Sequence, residues 1–218
     1  MSDALHPQIY LVTPDRFELS RFADRLGAVL DAAPVACLRL ALASRDVGEI
    51  GRVADALRPV AHARDVALVI ADHLQLVQPL GLDGVHLPDG AARVRAARTL
   101  LGGDAIVGAA CGVSRHAGLT AGEAGADYIA FGPVSAAPEL GDGAEAPAAL
   151  FAWWSEMIEL PVIAEGGLTL ARIGALAGVV DFFALGPEIW DSADAADTLS
   201  AFHSAMSEAP TERGAETT

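Results

Sequence analysis

Lysine is missing from the 218-residue chain, so all 14 cations are arginines. A chain without a nucleophilic amine forms no Schiff base, which excludes pyridoxal-phosphate chemistry and lysine aldolases. Cysteine is nearly missing too. Cys37 and Cys111 lie in apolar runs and are expected to be small buried residues in a reduced compartment, not a disulfide or a nucleophile. Cations are outnumbered, with a net charge of -15. That balance excludes a sequence-independent grip on nucleic acid or an anionic membrane surface, both of which need clustered cations. No apolar run reaches the roughly 20 residues of a membrane span. The start, MSDALHPQIYLV, lacks a basic region followed by a long apolar core, so no signal peptide is expected and a cytoplasmic location is.

What is present is apolar: 52% hydrophobic residues with 22 Gly and 12 Pro, the composition of a packed globular chain. Short apolar runs alternate with segments of helical spacing. Ile9–Val12, closed by Thr13-Pro14, reads as a strand, and Phe17, Phe22, Leu26, Val29 and Leu30 mark a helix that Pro34 ends. Further strands are expected at Val35–Leu40, Val66–Ala71, Gly84–Leu87, Ala105–Ala109, Tyr128–Phe131, Val162–Ala164 and Phe182–Leu185. Asp46 and Glu49 suggest a capping box, Pro59 should end or kink that helix, and Asp89 and Ser114 are candidate caps. A short helix is expected over Leu74–Leu80. In the helix after Asp89, Leu100 and Leu101 are placed inward and Arg93, Arg95 and Arg98 on the solvated face.

Eight strand–helix units in one composition regime imply a single (β/α)8 barrel over residues 1–206, with a polar tail over 207–218. A doubly wound sheet would need a glycine fingerprint after the first strand, where Thr13-Pro14-Asp15 stands instead. Barrel ligands sit at the carboxyl ends of the strands. Those ends offer Thr13, Arg39, Asp72, His86, Cys111, the stretch Phe131–Val134, Glu165 and Gly186. Gly166, Gly167 and Gly186, in the turns after the last two strands, are the candidate phosphate grip, where backbone N–H groups meet an anion.

The fragments IYLVT (Ile9–Thr13), LDGVHL (Leu82–Leu87), GADYIAFGPV (Gly125–Val134) and PVIAEGG (Pro161–Gly167) resemble thiamine-phosphate synthase and its TenI relatives, in order and spacing, from residue 8 to about 190. The resemblance implies an enzyme of thiamine biosynthesis that joins hydroxymethylpyrimidine diphosphate to thiazole phosphate. Magnesium and cations would draw the diphosphate away, and the thiazole nitrogen would capture the pyrimidine cation. It also implies that Arg39 faces the diphosphate and that Asp72 is a metal ligand.

Other family positions differ. Ala41 stands where the family has a lysine, Asp72 lacks its asparagine and arginine neighbours, and Ala91 replaces the second metal carboxylate. The loop after the sixth strand carries Ala137, Pro138, Glu139, Leu140, Asp142 and Glu145 where threonines and a lysine are expected. Pro133 replaces the catalytic histidine of the TenI tautomerases.

The resulting expectation is a thiamine-phosphate synthase-like barrel with Arg39, His86 and Glu165 as candidate catalytic residues, Asp72 as the candidate magnesium ligand and a small phosphorylated ligand as partner. A second copy of the chain, making a homo-oligomer, is a further candidate partner. His86 is either a pocket wall or a satisfied core group. His73 is a helix-end surface residue or an acid–base partner of Asp72, and Glu165 is a general base or the partner of an arginine such as Arg39. Two competing readings are a non-catalytic phosphate-binding relative and an enzyme using His86, Asp72 and Glu165 on another substrate.

Overall fold

The computed structural model describes residues 6–137, 140 and 143–209. Eight parallel strands close in sequence order into a barrel: β1 Gln8–Val12, β2 Val35–Leu40, β3 Ala67–Ala71, β4 Gly84–Leu87, β5 Ile106–Ala110, β6 Tyr128–Phe131, β7 Val162–Glu165 and β8 Phe182–Leu185. The helices around it are α1 Leu19–Ala32, α2 Val47–His62, α3 Val94–Leu101, α4 Arg115–Glu123, α5 Ala148–Met157, α6 Leu170–Leu176, α7 Pro187–Trp190 and α8 Ala195–Glu208. β1 pairs with both β2 and β8, which closes the sheet.

Two apolar cores follow from the two-residue period of a strand. One alternate set of strand residues, such as Leu11, Leu38, Leu40, Ile129 and Phe131, points outward and joins α1 Phe22 and Leu26 and α5 Phe151 and Trp154 in the larger core. Trp154 stands edge-on to Phe131 at 5.2 Å. The alternate residues Tyr10, Cys37, Val69, Tyr128, Ala130, Ile163 and Ala184 fill the barrel interior. Gly108 is required there, because a Cβ would fall within the Tyr128 ring.

Several local expectations are corrected. Pro59 does not end α2, which continues to His62. Only half of the capping box forms: Asp46 accepts from Glu49 N at 2.7 Å, while the Glu49 carboxylate takes the Ser44 hydroxyl instead. Asp89 makes no cap bond. Its carboxylate binds Arg93, and a 3-10 turn over Gly90–Arg93 precedes α3. The helix expected over Leu74–Leu80 is a single 3-10 turn, Leu74–Leu76. Leu100 is 46% exposed, not inward.

The arginines of this unit are not all solvated. Arg98 lays Nε on Gly125 O (2.6 Å) and Nη1 on Ala105 O (2.6 Å), tying α3 to two loops, whereas Arg95 is exposed. Ser114 caps α4 as expected, and Thr169 caps α6. Pro138, Glu139, Asp142 and the tail beyond 209 lie outside the described residues.

Candidate functional site

The carboxyl ends of the strands surround a cavity of about 640 Å³, lined among others by Val12, Thr13, Arg39, His86, Glu165 and Trp190. The strand period brings these groups together. Arg39 and Glu165 fall on inward positions near the ends of β2 and β7, and His86 on the inward face of β4.

Arg39 and Glu165 form a buried ion pair, Nη2 to Oε2 at 2.9 Å, with side chains 10% and 7% exposed. Burial works against the Arg39 charge, but the Glu165 carboxylate together with Tyr10 and Tyr128 outweighs it, and the guanidinium is held more firmly protonated than usual. It also lies 5.6 Å from the centre of the Tyr10 ring. Of the two roles open to Glu165, the geometry is that of the arginine's partner.

His86 is both of the things expected of it. It borders the cavity, and its Nδ1 is 3.0 Å from the Tyr128 hydroxyl, which is 2.7 Å from the Tyr10 hydroxyl. Burial, and then the Arg39 charge, push its pKa well below the ordinary histidine range, so the imidazole is neutral at pH 7. Burial raises Tyr10 and Tyr128 and lifts both cysteine thiols to about 12. The three hydroxyl and imidazole groups therefore form a neutral chain beneath the cavity floor. Sequence reading passed over Tyr10 and Tyr128 as strand residues; the alternation within β1 and β6 was the signal that turns both inward.

Asp72 follows β3 in the left-handed region at φ 67° and is not among the residues that line the cavity. Its carboxylate is 2.5 Å from Arg93 Nη2, whose Nε is 2.7 Å from the Asp89 carboxylate. One guanidinium thus stands between the two rim carboxylates. Among the described residues no group of three or more His, Cys, Asp or Glu side chains gathers to hold a metal ion. This donor set does not fit magnesium, which needs its carboxylates free to share the ion with substrate phosphates. His73 stands at the start of the turn after Asp72, makes no side-chain cap bond and is half-buried.

The turns after β7 and β8 lie side by side. Gly166 and Gly167 both take positive φ, 82° and 65°. The first residues of the β6–α5 loop are strapped to them: Val134 N donates to Gly166 O at 3.0 Å and Ser135 Oγ to Gly167 O at 2.5 Å. Leu140 lies over Gly166. Glu188, which sequence reading missed, spans both turns. Its Oε1 accepts from Leu168 N at 2.9 Å and its Oε2 from Gly186 N at 2.9 Å. The signal was an acidic residue in the first turn of α7, where unpaired N–H groups at the helix start favour a carboxylate. Trp190 closes this side, donating Nε1 to Val12 O at 2.6 Å.

The charge around the cavity is acidic. Asp15, Glu165 and Asp191 line it against one arginine, Arg39. Cys111 is buried after β5, and Glu145 is exposed on the loop before α5. No helix among the described residues is long and apolar enough to cross a membrane.

Residues 9–187 match the family model described as thiamine monophosphate synthase. The chain is 41% identical over 179 residues to the thiamine-phosphate synthase of Rhodospirillum centenum, covering 82% of this chain and 86% of the relative. It is 38% identical over 166 residues to that of Erythrobacter litoralis, with 74% and 78% covered. The fold is similar to thiamine phosphate pyrophosphorylase from Pyrococcus furiosus, with a TM-score of 0.81 at 20% identity, covering 94% of this chain and 98% of that one. It is also similar to a 3-hexulose-6-phosphate synthase, with a TM-score of 0.65 at 18% identity and 91% and 99% covered.

Proposed function

The chain belongs to the thiamine monophosphate synthase family, and from that premise we propose that it works in cytoplasmic thiamine biosynthesis, joining hydroxymethylpyrimidine diphosphate to thiazole phosphate. The thiazole nitrogen's lone pair forms the new bond to the pyrimidine methylene carbon. The bond from that carbon to the diphosphate oxygen breaks, and its electron pair leaves on the diphosphate. Positive charge develops on the pyrimidine methylene and ends on the thiazolium ring.

The observation that carries this reading is the acidic cavity at the carboxyl mouth of a barrel matched to the family along most of its length. Asp15 and Asp191 bring negative charge to the cavity wall, suited to a developing cation, while the Glu165 charge is already taken up by Arg39, and groups oriented before reaction stabilise developing charge best. The Trp190 side of the wall and the apolar Val12 and Leu140 suit flat heterocycles. His86, neutral and held by Tyr128, offers a fixed imidazole to an aminopyrimidine edge. Arg39 is neutralised by Glu165, so it orients that carboxylate more than it draws on an anion. No step here passes through magnesium.

The test is turnover of the purified chain with hydroxymethylpyrimidine diphosphate and thiazole phosphate, with and without magnesium, scoring thiamine phosphate by mass spectrometry. Product at a catalytic rate supports the proposal. A folded protein that yields none rejects it.

A further inference from the structure

His86, Gly108 and Tyr128 stand abreast on three neighbouring strands, with Gly108 paired to both of the others. Because Gly108 has no side chain, the Tyr128 ring lies across it; a Cβ there would overlap the phenol hydroxyl. The phenol thereby reaches past β5 to His86 on β4, with the two rings stacked at 5.8 Å and 20°. The protons of this buried row can be counted. The Tyr128 hydroxyl meets His86 Nδ1 at 3.0 Å and the Tyr10 hydroxyl at 2.7 Å. Neutral His86 has one N–H, and each tyrosine has one O–H. If Tyr10 donates to Tyr128 and Tyr128 to Nδ1, both buried O–H groups are used and the imidazole proton sits on Nε2. In the reverse chain Nδ1–H donates to Tyr128 and Tyr128 to Tyr10. That leaves the Tyr10 proton with no oxygen or nitrogen acceptor among the described residues, in a residue 2% exposed. The nearby Cys37 sulfur is only a weak acceptor. A buried donor left unpaired bears its full desolvation cost, so the first arrangement is favoured. Nε2 has no hydrogen-bond partner among the described residues and yet is not sealed from solvent, so it opens on the cavity that His86 lines.

We propose that Tyr128 is a positioning residue: it holds His86 with Nδ1 as acceptor, so that Nε2–H faces the cavity as a fixed donor to a ring nitrogen of the pyrimidine substrate. The inference rests on the joining reaction above and names the contact that one substrate makes. A ring nitrogen of an aminopyrimidine is an acceptor, whereas its amino group presents N–H donors, so a fixed donor selects one edge of the heterocycle. The thiazole is a poorer match on two counts. Its nitrogen lone pair must stay free to form the new bond, and the turns after β7 and β8, the candidate phosphate grip, lie across the barrel from β4. Neither Tyr128 nor Tyr10 lines the cavity, so both act through His86.

The experiment is nitrogen-15 NMR of the histidine-labelled protein, joined to calorimetric titration with hydroxymethylpyrimidine diphosphate and with thiazole phosphate. His86→Gln assigns the His86 resonances. In the wild type the ring proton should sit on Nε2, and hydroxymethylpyrimidine diphosphate should shift that N–H saturably. Tyr10→Phe should leave the proton on Nε2, because Tyr128 keeps its own proton for Nδ1. Tyr128→Phe should weaken binding of hydroxymethylpyrimidine diphosphate about threefold to tenfold, the worth of one neutral hydrogen bond, and leave that of thiazole phosphate unchanged. If Tyr128 serves only the fold, both ligands weaken together and the proposal is overturned. A wild type whose proton sits on Nδ1 overturns it as well, as does an Nε2–H that the pyrimidine does not move, whether or not Tyr128→Phe folds. A wild type whose His86 responds as expected while no thiamine phosphate forms would keep the role of Tyr128 and reject the joining reaction beneath it.

Discussion

Arg39 on β2 and Glu165 on β7 meet inside the barrel at 2.9 Å, both nearly sealed from water. Each charge is tolerable there only because the other is present. Removing one partner of a buried pair costs about 3–5 kcal/mol, whereas replacing both by apolar residues of similar volume is close to neutral. Glu165→Gln is therefore expected to lower unfolding stability by about that amount, and Arg39→Met with Glu165→Met to recover most of it. Urea unfolding of the three proteins measures this. A Glu165→Gln protein as stable as the wild type would mean that water reaches Arg39.

His86 makes stability depend on pH. Its folded-state pKa lies well below the ordinary value of about 6.5, so below that pH the unfolded chain binds the proton and the folded chain does not. The contribution is fully present above about pH 6.5 and is lost as the pH falls toward the folded-state value, by up to about 1.4 kcal/mol per pH unit. The difference between wild type and His86→Gln in unfolding free energy should show this slope, while carboxylate effects common to both cancel. A flat difference between pH 7 and 5 would put His86 in contact with solvent.

Tyr128 links His86 Nδ1 (3.0 Å) to the Tyr10 hydroxyl (2.7 Å). Tyr128→Phe leaves both neighbours without that partner and should cost more than Tyr10→Phe, which leaves one. Each buried polar group left unsatisfied is worth about 1–3 kcal/mol. Thermal unfolding of the two variants gives the order directly.

Arg93 stands between Asp72 and Asp89. Because the cluster is partly exposed, Arg93→Ala should change stability by less than about 1 kcal/mol. It should also free two rim carboxylates, so magnesium titrated into Arg93→Ala is expected to bind saturably, and into wild type not. Saturable magnesium binding by the wild type would show that Arg93 gives way to the ion.

Gly167 takes φ 65°, and a Cβ there would lie 2.7 Å from the Ser135 carbonyl oxygen. Gly167→Ala should cost about 1–3 kcal/mol. Gly174, inside α6 with nothing near its Cβ direction, should instead gain about 0.5–1 kcal/mol on replacement by Ala. Opposite shifts in Tm are the expected outcome.

How far the sequence alone reached follows from what is local. Strand runs such as Val35–Leu40, Gly84–Leu87, Tyr128–Phe131 and Phe182–Leu185 are bounded by turn residues and fall where the structure has them. Burial of a parallel strand on both faces writes itself into a continuous apolar run. The count of eight such units and the residues Arg39, His86 and Glu165 at strand ends followed from the same local pattern. Partner choice followed only in part: Arg39 stood as one of two roles open to Glu165, but His86 with Tyr128, Asp72 with Arg93, and Glu188 across two turns depend on side chains far apart in sequence. The sequence by itself determined a barrel with these groups at its mouth. Only the tertiary structure decided that its charges are spent on one another, since closing the sheet sets which of the inward-facing side chains come within hydrogen-bonding distance.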